Sequence, residues 1–142
     1  MTPSGTILLV EDDQDDILIF QRALVAAHVL NPVVVVTDGQ AAIDYLSHRG
    51  EYADQKKYPL PFVIFLDLKL SHLDGFEVLS WIRSQPRLKS VVVVVLSGSN
   101  EVRDHQRAYA LGARSYLVKP PGGHEIRQFM DSMTSFWGGV RH

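Results

Sequence analysis

The sequence predicts an α/β fold: a doubly wound parallel sheet of five strands with helices on both faces. Three observations predict it. Short apolar runs alternate five times with stretches of helical periodicity. The runs are continuously apolar rather than alternating, as strands covered on both faces are. Each run stops abruptly at polar or turn-forming residues. Right-handed crossovers between such strands restrict the topology, and the order 2-1-3-4-5 is expected.

Ile7 to Val10 (ILLV) forms the first strand and ends in Glu11, Asp12 and Asp13. A helix follows from about Gln14, with Ile17, Phe20, Leu24 and Ala27 at helical spacing. Asp15 and Asp16 suit the positive end of its dipole. After Asn31-Pro32, the β-branched run Val33 to Val36 is the second strand, and Asp38-Gly39 turns into a helix bearing Ala42, Ile43 and Leu46. The stretch 50–61, GEYADQKKYPLP, exceeds the usual length of an αβ connection and reads as a surface insertion.

Phe62 to Leu66 is the third strand, ending on the single carboxylate Asp67. Asp74-Gly75 then starts a helix, with Asp74 as its cap, Phe76, Leu79 and Ile82 along it, and Pro86 ending it. Val91 to Leu96 is the fourth strand and stops at Ser97-Gly98-Ser99. The helix from Glu101 to Leu111 has a thin apolar face, only Val102, Tyr109 and Leu111, and is expected to shift most readily. Ser115 to Val118 is the fifth strand, ending at Lys119-Pro120. A last helix, His124 to Trp137, carries the stripe Ile126, Phe129, Met130, Met133 and Trp137.

With 142 residues, one domain with a sizeable core is expected. A net charge of −2 gives no reason to expect a nucleic-acid surface. The lack of cysteine excludes disulfides, thiolate metal sites and cysteine nucleophiles. No signal peptide is read at the N-terminus, and no apolar run is long enough to span a bilayer. The expectation is a cytoplasmic protein without membrane or nucleic-acid partners. The six histidines are read as surface residues.

Chemistry is expected at the carboxyl edge of the sheet, where open α/β folds bind ligands. Four strand ends meet there: Glu11 with Asp12, then Asp67, Ser97 and Lys119. Singly, each reads equally well as a cap or a solvated side chain; converging, they are a set. Three carboxylates in one cleft are unfavourable unless a cation sits among them. Oxygen donors without His or Cys favour a hard ion such as Mg²⁺. Lys119 adds a mobile positive charge and Ser97 a hydroxyl donor. This equipment suits phosphoryl transfer, where positioning and charge neutralisation carry catalysis. Asp67, flanked by the other groups, is the candidate acceptor, forming an acyl phosphate.

Over roughly residues 6–137 the chain resembles response-regulator receiver domains of two-component signalling, a flavodoxin-like fold. ILLVEDD, FLDLKLSHLDG, VVLSGS and ALGARSYLVKP carry the resemblance. It implies that Asp67 accepts a phosphoryl group from a kinase histidine. Asp12 would hold Mg²⁺ directly, Glu11 mostly through water, and the Lys69 backbone carbonyl would complete the protein's ligands. Ser97 takes the place of the switch hydroxyl, Tyr116 of the switch aromatic and Lys119 of the phosphate-pairing lysine, with a cis bond before Pro120. Such a protein is a phosphoacceptor that catalyses its own phosphotransfer and dephosphorylation, not an enzyme acting on others. Its helix-4, strand-5, helix-5 surface would carry the signal. Ser71 departs from the family's usual proline, loosening the loop after Asp67. Pro121-Gly122-Gly123 is also unusual.

Residues 50–61 and the ending SFWGG resemble the stand-alone regulators paired with bacterial phytochrome histidine kinases. Residues 1–5 and 138–142 are expected to be terminal extensions, with no output domain. Phe136 and Trp137 suggest a homodimer through the face formed by the fourth helix, fifth strand and last helix. Three other classes fit less well. A phosphohydrolase with an Asp nucleophile of the haloacid-dehalogenase type would carry a second Asp where Lys69 stands. A flavin-binding module would need a Gly/Ser/Thr-rich loop where EDDQDD stands. A receiver-like module that binds partners without phosphate would not need the full set of Glu11, Asp12, Asp67, Ser97 and Lys119.

Overall fold

The computed structural model describes residues 5–141, with side chains as far as Met133. The five apolar runs form one parallel sheet in the expected order: β1 (Ile7–Val10), β2 (Val33–Val36), β3 (Val63–Asp67), β4 (Val92–Ser97) and β5 (Ser115–Val118), arranged β2-β1-β3-β4-β5. The helices are α1 (Gln14–Ala26), α2 (Gly39–Leu46), α3 (Gly75–Ser84), α4 (Val102–Ala110) and α5 (Gly123–Arg141). Helix α5 thus runs past Trp137, the expected end. Among the described residues no helix is long and apolar enough to cross a membrane.

Successive strand residues feed opposite faces, which makes two cores from one sheet. Leu8, Val10, Ile64, Leu66, Val93 and Val95 pack with α2, α3 and Ala108 of α4. Ile7, Leu9, Val63, Phe65, Val94 and Leu96 pack against Ile17, Phe20 and Leu24 of α1 and Ile126, Met130 and Met133 of α5. The central strands are fully buried, which is why they lack a polar alternation.

The helix ends explain the loops that hold the site. Asp13, Asp38 and Asp74 cap α1, α2 and α3 by accepting from the N–H groups of Asp16, Ala41 and Glu77. Because Asp13 takes the cap, Asp12 is left for other work. Helices α1, α2 and α4 all end in a left-handed residue with paired back-bonds: His28 (φ 58°), His48 (φ 55°) and Gly112 (φ 102°). Only one of the three is glycine, so two helix ends carry no glycine signal. His48 is half-buried, with its Nδ1 lacking a hydrogen-bond partner, which corrects its reading as a surface residue.

The insertion is fastened rather than loose. Tyr52 and Tyr58 close on Tyr45 of α2 with ring centroids 5.2 and 5.9 Å away, and the Tyr45 hydroxyl donates to the Pro59 carbonyl at 2.7 Å. Gly75 explains the tight return after β3. A Cβ there would meet the Asp67 carbonyl oxygen at 2.3 Å and Leu68 Cα at 2.5 Å, so only glycine permits that approach.

Candidate functional site

The parallel ladder runs past the strand ends and places the polar residues. The Glu11 N–H donates to the Val36 carbonyl at 3.0 Å, and the Lys119 N–H donates to the Ser97 carbonyl at 2.8 Å. Asp67 closes β3 and pairs with Leu96, while Ser97 closes β4 opposite Val118. Glu11, Asp67 and Ser97 are buried at these ends, although each is polar.

Each of Glu11, Asp12 and Asp67 offers a carboxylate oxygen within 4.8 Å of the others. The Lys119 ammonium reaches in from β5 and touches Glu11 Oε1 at 2.5 Å and Asp67 Oδ2 at 3.3 Å. The Lys69 N–H donates to Asp67 Oδ1 at 3.2 Å, setting that peptide against the carboxylate. The Lys119-Pro120 bond is cis, as expected. The structure therefore brings Glu11, Asp12, Asp67, Lys69 and Lys119 into one cluster.

Its charge is unbalanced. Burial, reinforced by the neighbouring Asp67 carboxylate, pushes the Glu11 carboxyl up from 4.5 to about 7, although Lys119 pulls it down. Burial alone would lower Lys119, but its bonds to Glu11 and Asp16 and the charge of Asp67 win, and its ammonium is held well above the usual lysine range. Lys119 is thus a permanent cation. A carboxyl that resists ionisation beside two other acids, all hard oxygen donors, fits a divalent cation that would relieve the crowding.

Ser97 ends β4 at the same edge, and Tyr116 lies in β5 beside it. The Ser97 hydroxyl accepts from the Ser99 N–H at 3.0 Å. Tyr116 is buried, donates from its hydroxyl to the Ser99 carbonyl at 2.9 Å, and stacks on His105 of α4 with centroids 3.7 Å apart. His105 is half-buried, a second correction to the reading of the histidines as surface residues. An aromatic partner on another element leaves no trace in local sequence.

Two further residues belong to the site and were missed in the sequence. Asp16, read as a dipole residue, accepts from Lys119 Nζ at 2.9 Å. Its place in the first turn of α1, directly after the acidic end of β1, was the available signal. Ser71 donates from its hydroxyl to Asp12 Oδ2 at 2.8 Å. The face suspected of dimerisation lies outside the described side chains at Phe136 and Trp137.

Residues 7–131 match the response regulator receiver domain family. The response regulator Rcp1 of Synechocystis sp. is 36% identical over 135 residues, covering 95% of this chain and 90% of its own. A phosphorylated cyanobacterial phytochrome response regulator, RcpA, superimposes with a TM-score of 0.77 at 38% identity, covering 97% of this chain and 96% of its own. The bacteriophytochrome response regulator RtBRR gives 0.79 at 40%, covering 87% and 74%. Rcp1 has also been solved in a Mn²⁺-bound form, with a TM-score of 0.74 at 35% identity, covering 94% of each chain. With its sheet order, its acidic cluster and its lysine in place, the chain belongs to the response regulator receiver domain family.

Proposed function

We propose that this protein accepts a phosphoryl group on Asp67 from the phosphohistidine of a sensor histidine kinase and signals through its α4–β5–α5 surface. One observation carries the reading: Asp67 is buried at the centre of the sheet edge, within reach of the Glu11 and Asp12 carboxylates on one side and the Lys119 ammonium on the other. In the transfer, an Asp67 carboxylate oxygen bonds to phosphorus as the phosphorus–nitrogen bond to the kinase imidazole breaks, and the imidazole keeps the electron pair. Asp12, Asp67 and the Lys69 carbonyl would hold Mg²⁺ directly and Glu11 mostly through water, and the ion would neutralise charge on the transferring group. Lys119 pairs with a phosphoryl oxygen. The acyl phosphate then hydrolyses on the protein itself.

Ser97 donates to the bound phosphoryl group and transmits its presence. That bond would draw on the hydroxyl now engaged by Ser99, and so move the loop that also carries the Tyr116 bond. Tyr116 is already buried, so the movement is expected in this loop and in α4, which has one buried residue, Ala108. The functional unit spans residues 6–137. The likeness to Rcp1, RcpA and RtBRR favours a kinase of the phytochrome type as donor. A cytoplasmic setting and pairing of two copies through the α4–β5–α5 face belong to the same reading.

The test is transfer from a panel of phosphorylated histidine kinases, phytochrome kinases included, followed by loss of label from the kinase. Rapid Mg²⁺-dependent transfer to wild type and none to Asp67→Asn is the expected result. Transfer to Asp67→Asn would overturn the assignment.

A further inference from the structure

We propose that Ser71 is a positioning residue of the cation site: its hydroxyl orients the Asp12 carboxylate and thereby sets the affinity for a divalent cation. The inference rests on Asp12 being a cation ligand, as proposed above. The Ser71 hydroxyl donates to Asp12 Oδ2 at 2.8 Å across 59 positions of chain, joining the loop after β3 to the loop after β1. The neighbouring acids are otherwise engaged. Asp13 caps α1, and Glu11 is bonded by Lys119 and by the Asp13 N–H. Ser71 is the one hydrogen-bond partner of the Asp12 side chain among the described residues.

The geometry divides the labour within one carboxylate. Oδ2 accepts from Ser71, which restrains the carboxylate while its remaining lone pairs stay open to a cation. A carboxylate at a half-exposed mouth would otherwise lose rotamer freedom on binding, and a bond already in place removes that cost. Ser71 itself is anchored by its backbone: the Leu73 N–H donates to the Ser71 carbonyl at 2.8 Å, and the Gly75 N–H donates to the Leu68 carbonyl at 2.9 Å. The hydroxyl therefore comes from a loop that returns tightly to the strand end. Ser71 is exposed, so the bond orients Asp12 without contributing much to folding.

Hydrogen bonds to metal ligands typically change affinity about 10–100-fold. Mg²⁺ and Mn²⁺ titrations by calorimetry on the unphosphorylated protein read this directly, without any phosphotransfer. Ser71→Ala should weaken both cations by about tenfold or more with the unfolding midpoint unchanged. Ser71→Thr, which keeps the hydroxyl, should bind like wild type. Ser71→Pro, which stiffens the loop but has no donor, should bind as weakly as alanine. Wild-type affinity in Ser71→Ala, with Asp12→Asn weakened, overturns the role of Ser71 while leaving Asp12 as a ligand. Tight binding by Ser71→Pro overturns it too, because loop stiffness would then be the cause. Equal affinity in wild type and Asp12→Asn overturns both readings.

Discussion

Replacing Lys119 with methionine keeps most of the aliphatic stem and removes the ammonium. That ammonium stands against Glu11 and Asp67, whose side chains are 2% and 5% exposed. Its loss strands two carboxylates away from water. The third partner, Asp16, is 36% exposed and can return to solvent, so it adds little. Removing one partner of a buried ion pair costs roughly 3–5 kcal/mol, a large part of a typical domain's stability. The cost depends on pH because Glu11 can discharge by taking a proton. Its folded value, about 7, lies above the ordinary 4.5, so its contribution to stability is full below 4.5 and is lost as pH rises through about 7. Lys119 is the group that pulls this value down, so in the variant the loss comes later and is larger. Urea unfolding in chelator, followed by tryptophan fluorescence, should therefore show a loss of about 3 kcal/mol or more at pH 8 and about 1 kcal/mol or less at pH 5. Added Mg²⁺ should recover part of the difference at pH 8. Equal losses at the two pH values would refute charge crowding as the cause.

Three further outcomes follow from the same structure. Gly75→Ala forces a Cβ against the Asp67 carbonyl, so the free energy of unfolding should fall by about 1–3 kcal/mol, with slower phosphorylation of an intact Asp67. Tyr45→Phe leaves the Pro59 carbonyl without its donor, costing about 1 kcal/mol and exposing residues 50–61 to proteolysis. Burial, with help from Tyr58 and Tyr52, pushes the Tyr45 phenol up to about 12. Its contribution is complete below pH 10 and lost through about 12, and an ultraviolet titration of the variant should lack the last-titrating phenol. Ser97→Ala should accept phosphate yet show no change in amide exchange over Val102–Ala110, whereas a wild-type response would remove Ser97 from the coupling.

The sheet was legible because burial on both faces leaves continuous apolar runs, and parallel strands put Glu11, Asp67, Ser97 and Lys119 on one edge whatever the loops do. Strand edges and order therefore follow from residues such as Phe62 to Leu66. What stayed hidden depends on side chains meeting across the chain. Ser71 and Asp12 are neighbours only because Gly75 lets the loop double back. Asp16 reads as a dipole residue until Lys119 arrives from the far strand. His28 and His48 occupy positions usually given to glycine, and His105 lies under Tyr116, so three histidines have structural roles that neither charge nor periodicity reveals. Asp13 rather than Asp12 caps α1, a choice of one residue that decides which acid is left for the site.

The central claim is that Asp67 is the phosphoacceptor and that its oxygen-lined cluster makes the reaction cation-dependent. Intact-mass measurement after treatment with acetyl phosphate tests it most directly. One added phosphoryl group in the presence of Mg²⁺, absent with excess chelator and absent in Asp67→Asn, is the predicted result. An equal mass increase in Asp67→Asn, or full reaction in chelator, would contradict it.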